Sequence, residues 1–149
     1  MNFMGFIHLE LKAKFECRQR FMKNPELLND YLSQHFDDFE TGRIKILEGL
    51  RKMISVNFFI LKYLKHHAVC MDLKTSKAYL VKALTDRFDK LVRGTPKKVK
   101  ATILPYKDKI IYDGFLESYR FRIGKVYKKN LNMLYKNAKE KNELISDIK

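Results

Sequence analysis

KVKATILPYKDKIIYDGFLES, residues 98–118, holds two apolar segments on either side of one bend. In its first half Val99, Ala101 and Ile103 alternate with Lys98, Lys100 and Thr102, the period of a strand with one buried face. Pro105 is expected to end that strand, Tyr106–Asp108 to make the bend, and Lys109–Asp113 to run back beside it. Asp113-Gly114 then reads as the next turn, because glycine accepts positive φ without a steric cost. Neighbouring antiparallel strands joined by short turns set the class of the domain.

Upstream lie three short runs rich in β-branched and aromatic residues: VNFFILKYL (56–64), AVCMDL (68–73) and AYLVKAL (78–84). Each has the composition of a strand, and Lys74–Lys77 reads as the hairpin loop between the last two. Thr85-Asp86 offers a cap for a short helix through Leu91, closed by Gly94 and Pro96.

The first third is different in texture. Asn24-Pro25-Glu26 supplies an N-cap, a proline at the first helical position and an acid in the first turn. Leu28, Tyr31, Leu32, His35 and Phe36 follow at helical spacing. A second helix is predicted over 40–54, with Ile44, Leu47, Leu50 and Ile54 on one face. Gly42 and Gly49 weaken it by roughly 1 kcal/mol each relative to alanine. Before them, residues 7–18 (IHLELKAKFECR) alternate apolar and polar without a break and predict a half-buried strand.

The segment 124–147 closes the chain as a helix. Tyr127, Leu131, Leu134, Ala138 and Ile145 share one side, and Lys125, Lys128, Lys129, Lys136 and Lys139 the other. The expected fold is therefore α+β in a single domain over 1–149. It has a mainly antiparallel sheet, two helices in the N-terminal half and a long amphipathic C-terminal helix. Residues 1–55 would supply one strand and two helices, and 56–149 the basic sheet and closing helix.

With 149 residues, 46% of them hydrophobic, the chain can build one proper core. No apolar run approaches the ~18 residues of a membrane span. The start lacks a basic then apolar secretory pattern, and two cysteines make no disulfide framework. A cytoplasmic protein with free thiols, no membrane contact and no small-molecule cofactor is expected. Residues 1–55 carry 9 basic and 8 acidic side chains, and residues 56–149 carry 22 and 9. Such asymmetry points to a polyanionic partner, nucleic acid before membrane. Lysine outnumbers arginine 23 to 8, which favours phosphate contacts over base-edge reading.

The run Leu104-Pro105-Tyr106-Lys107-Asp108-Lys109-Ile110-Ile111-Tyr112-Asp113-Gly114 resembles a motif, L-P-[FY]-x-x-x-I-[IV]-Y-D-G, of a family of uncharacterised bacterial proteins. Phe59–Leu64 and Tyr79–Asp86 are similar to the same family, so the likeness covers about residues 56–147. It implies a shared domain and brings no activity with it.

Four constellations bear on chemistry. Asp108, Asp113 and Glu117 could act as paired carboxylates, but a bend and an Asp-Gly pair account for the two aspartates as turn residues. His66, His67 and Cys70 offer three metal ligands where a closed zinc site needs four. Glu48, Asp72 and Lys74 suggest a metal-dependent nuclease, yet the third strand brings no acid to share the metal. No glycine-rich phosphate loop or nucleophile elbow is present. What is left is the basic surface: Lys98, Lys100, Lys107, Lys109, Arg120, Arg122, Lys125, Lys128, Lys129 and Lys136, interleaved with Tyr106, Tyr112, Tyr119 and Phe121. Cations beside aromatic rings are what single-strand binding uses. The leading expectation is a non-enzymatic binding protein for nucleic-acid backbone, RNA or DNA. The alternative is a protein–protein subunit or inhibitor that docks on an acidic partner.

Overall fold

A computed structural model describes residues 5, 8–38, 40–84, 87–120 and 122–149 of the protein. The fold is α+β. Two compact units divide the chain, residues 1–51 and 52–149.

The first unit is helical: α1 (Leu11–Lys23), α2 (Glu26–His35), a short 3-10 turn (Phe36–Asp38) and α3 (Thr41–Gly49). The strand expected over 7–18 is not there; from Leu11 onward that stretch is α1, and Ile7 lies outside the described residues. The reason is local. Leu, Lys, Ala, Glu, Arg and Gln are strong helix formers, and none of the described strands pairs with this stretch. On the helix, Arg18 lies over the Phe15 ring at 4.8 Å and its Nη1 reaches Met22 Sδ at 3.7 Å. Asn24 does not cap α2 with its side chain; its Nδ2 donates back to the Arg20 carbonyl at 2.8 Å, closing α1. Leu28 and Leu32 are the buried face of α2, while Phe36 stays exposed. The helix predicted over 40–54 stops at Gly49, passes through a 3-10 turn at Leu50–Lys52, and Ile54 already belongs to the first strand.

The second unit is a closed five-stranded barrel. Its strands are β1 (Ile54–Tyr63), β2 (Ala68–Asp72), β3 (Ala78–Lys82), β4 (Lys97–Tyr106) and β5 (Lys109–Ser118), in the order β1-β2-β3-β5-β4. The ten-residue β1 pairs antiparallel with both β2 and β4. Closure comes from the one parallel pair, Val81↔Ile110 and Lys82↔Ile111 between β3 and β5. A short helix, α4 (Phe88–Leu91), connects β3 to β4. This connectivity is that of an OB-fold barrel. Thr85 and Asp86, the expected cap of α4, lie outside the described residues.

Inside the barrel, Phe58, Ile60, Ala68, Cys70, Tyr79, Val81, Val99, Ala101, Ile103, Ile110 and Tyr112 form one core. Phe88 and Val92 join it from α4, with the Phe88 and Tyr112 rings 5.0 Å apart. A second apolar layer lies on the outside. Phe59, Leu61, Val69, Met71 and Ala78 pack there against Leu131 and Tyr135 of α5 (Lys125–Glu140). That explains the two textures of the strand sequences. VNFFILKYL and AVCMDL are rich in apolar residues on both faces because both faces of β1 and β2 are covered, whereas β4 alternates in its first half, where Val99 and Ala101 enter the core and Lys98 and Lys100 point out.

Three expectations shift here. Pro105 does not end β4, which runs to Tyr106; β1 pairs only as far as Ile103, so Pro105 has a single neighbouring strand and its missing N–H is tolerated. Asp113-Gly114 is not a chain reversal but a bulge inside β5. Between the pairs Ala101↔Leu116 and Ile103↔Tyr112, three β5 residues face Thr102 alone. Gly114 takes φ +92 there, so the glycine's left-handed freedom bends a strand rather than ending it. The closing helix ends at Glu140 instead of reaching 147. Asn142 adopts φ +54, Glu143 N–H donates to the Ala138 carbonyl and Asn142 N–H to that of Lys139, the Schellman pattern. Ile145 then bridges Tyr79, held by Leu80 N–H to its carbonyl and its own N–H to Ala78, both at 2.8 Å. No helix among the described residues is long and apolar enough to cross a membrane.

Candidate nucleic-acid interface

Charge and barrel coincide. Residues 1–51 carry 8 basic and 8 acidic side chains; residues 52–149 carry 23 and 9, so the net +14 belongs to the barrel unit. Where these cations stand is set by the strand period. With Val99, Ala101 and Ile103 in the core, Lys98 and Lys100 must point outward from β4.

Their neighbours across the sheet differ. Lys98 is opposite Phe59, which packs under α5; Lys100 is opposite Asn57 on one side and Glu117 on the other. Just past β5, Tyr119 N–H donates to the Lys98 carbonyl and Tyr119 Oη donates to Asn57 Oδ1 at 2.9 Å. Its ring lies 4.7 Å from Lys98 Nζ. The result is a polar strip of Asn57, Lys98, Lys100 and Tyr119, in which Lys100 is exposed and the other three are half-buried. Thr102, expected to face solvent from the same strip, is fully buried opposite the bulge and donates to Ser55 Oγ at 2.9 Å.

Lys107 and Lys109 flank the tip of the β4–β5 hairpin, where Lys107 Nζ sits 5.7 Å from the Tyr106 ring centroid. Lys107 holds φ +54 at the first of two turn residues, a slot where hairpins of this length favour glycine. Arg120 and Arg122 are exposed in the link to α5. Lys125, Lys128, Lys129 and Lys136 are all exposed on α5. The docked seam of that helix is Tyr127, Leu131 and Tyr135. Tyr127 touches Phe59 edge-on at 5.6 Å, and Lys62 lies 5.6 Å over Tyr135. Leu134, expected on that seam, is exposed instead, one helical position away from it. The ten predicted cations thus fall into three groups: the β4 strip, the hairpin tip, and the link with α5. Tyr112 is not a surface ring; it is in the core, and Phe121 lies outside the described residues. Asn57 was missed by sequence reasoning, and the only signal for it was its position two residues before the buried Phe59 in a strand.

The acids are scattered by the same geometry. Asp108 is at the exposed hairpin tip, 3.7 Å from Lys109 Nζ; Asp113 accepts from Phe115 N–H at 3.1 Å in the bulge; Glu117 faces Lys100. Asp72 is buried, and its carboxylate accepts from Lys74 N–H at 2.7 Å and from the Thr75 hydroxyl at 2.8 Å. Cys70 points into the core, where loss of solvent pushes its thiol up to about 12, while His67 lies in the β1–β2 loop. Among the described residues no three His, Cys, Asp or Glu side chains are grouped to hold a metal.

No family model, no curated protein and no solved structure matches this chain.

Proposed function

We propose that the protein is a non-enzymatic, cytoplasmic binding protein whose basic barrel unit holds a polyanion, nucleic-acid backbone first among them. The observation that carries this reading is the strip on β4, where Lys98 stands over the anchored Tyr119 ring and the exposed Lys100 follows on the same face. Ammonium groups next to an aromatic face serve phosphate and base together on a single strand. The barrel connectivity adds support, since OB-type barrels bind oligonucleotides on an outer face. Here the β2–β3 outer face is packed against α5, so the reading moves the contact to β4 and the link after β5, at Lys98, Lys100 and Tyr119. The resemblance carried by Leu104–Gly114 is part of the proposal as shared ancestry of this barrel and assigns it no activity.

The test is binding of nuclease-treated protein to short single- and double-stranded oligonucleotides at ~50 and ~200 mM salt. Tight binding at low salt that collapses at high salt, and that weakens in the Lys98→Glu, Lys100→Glu double variant, is expected. Absence of binding at low salt would refute the reading. A second reading has its own observation: Val126, Met133 and Leu134 are exposed on α5 among lysines, a face suited to an acidic protein partner. Stoichiometric capture of one such protein that survives nuclease treatment would favour it.

A further inference from the structure

Between the β1–β2 loop and the start of α4 lies a cavity of about 340 Å³ that none of the three cation groups above lines. Lys65, His66 and His67 approach it from the loop, Lys82 from the end of β3, and Arg87 and Asp89 from α4. Its floor is apolar and fixed. Phe88 is buried in the barrel core, and Tyr63 Oη donates to the Val92 carbonyl. Burial, with Cys70 and Asp89 nearby, pushes that phenol up to about 12, so Tyr63 stays neutral.

The walls carry a surplus of positive charge. Asp89 is the acid on the wall among the described residues, and Arg87 takes it with two bonds, Nε to Oδ1 at 3.1 Å and Nη2 to Oδ2 at 2.8 Å. Lys65 and Lys82 are left to set the sign of the cleft. The His67 imidazole, half-buried on the same wall, feels this field: loss of solvent and then Lys82, His66 and Lys109 hold it below its ordinary value. A concave site with two ammoniums and two imidazoles, closed below by fixed rings, suits a compact multivalent anion rather than a metal or an apolar group. The β1–β2 turn that presents the histidines is itself tied down, with Leu64 N–H donating to the His67 carbonyl at 2.7 Å.

We propose that this cleft is a phosphate site, in which Lys65, Lys82 and His67 grip one phosphate group of the bound polyanion. The proposal rests on the polyanion reading above and adds a defined anchoring point to it.

The experiment uses the full chain and the side-chain NMR signals of its four histidines. Inorganic phosphate is titrated against sodium chloride of equal ionic strength. His66 and His67 are expected to shift with phosphate and not with chloride, while His8 and His35, in the helical unit, stay still as controls for a general ionic effect. Lys82→Gln is expected to weaken the phosphate titration about tenfold, the loss of one charge-assisted contact, and the exposed Lys141→Glu to leave it unchanged. Should Lys82→Gln disturb the fold, His67→Gln followed through His66 gives the same comparison. Equal shifts with chloride, or an unchanged titration in both variants, would overturn the proposal. Short oligonucleotides with and without a 5′-phosphate then separate the sources: shifts with both mark an internal phosphodiester, shifts only with the phosphorylated one a strand end. Oligonucleotide binding that never moves His67 sinks the cleft and leaves the polyanion reading standing. Phosphate that moves His67 where no oligonucleotide binds does the reverse.

Discussion

Asp72 holds its carboxylate nearly out of solvent, with the loop Lys74–Lys77 folded around it. Removing it in Asp72→Ala would strand the Lys74 N–H and the Thr75 hydroxyl, and should cost about 1–3 kcal/mol in urea denaturation. An Asp72 kept for metal chemistry would instead lose cleavage at unchanged stability, so one variant separates the two roles. His67 gives a second prediction. Its imidazole is held below the ordinary 6.5 by loss of solvent and then by Lys82, His66 and Lys109. The unfolded chain therefore takes up the proton first, so the full stability is present above pH 6.5 and declines as pH falls below it. Denaturation at about pH 7.5 and about pH 5.5 should show a smaller decline in His67→Gln than in the native chain; equal declines would remove His67 from the account.

At the level of elements, two glycines should answer to alanine with opposite signs. Gly114 stands at φ +92 in the β5 bulge with open space around its missing Cβ, so Gly114→Ala pays only backbone strain, about 1–2 kcal/mol. Gly42 is helical and equally unobstructed, and Gly42→Ala should stabilise by up to about 1 kcal/mol. Thermal midpoints of both variants check the pair. The same elements show what the sequence made legible. KVKATIL announced β4 and the outward Lys98 and Lys100 by alternation, though not the burial of Thr102, and Leu131 announced the docked side of α5. Residues 7–18 misled because the alternation was real while none of the described strands pairs with that stretch; propensity then decided for α1. Asp113-Gly114 was legible as a positive-φ site but not as a bulge, since a bulge depends on the partner strand. The cleft at His67 was out of reach of any local pattern. Its walls come from Lys65, Lys82 and Arg87, which the barrel brings together from three separate elements.

On the scale of the molecule, both apolar clusters of the barrel are drawn from residues 54–148. A fragment of residues 52–149 should therefore keep a cooperative unfolding transition and the basic surface; circular dichroism and the oligonucleotide assay on that fragment check this, and a molten fragment would refute it. The tie between Ile145 and β3 has a further consequence, in time rather than in space. A chain made from its N-terminus shows Phe59, Leu61, Val69 and Met71 to water long before their cover is available. The barrel can close once Ser118 has left the ribosome, but α5 docks only after its seam has followed, and the latch at Ile145 comes later still. Throughout that interval the outer strip of β1 and β2 is a sticky surface on a nascent protein, beside lysines whose like charge disfavours self-association.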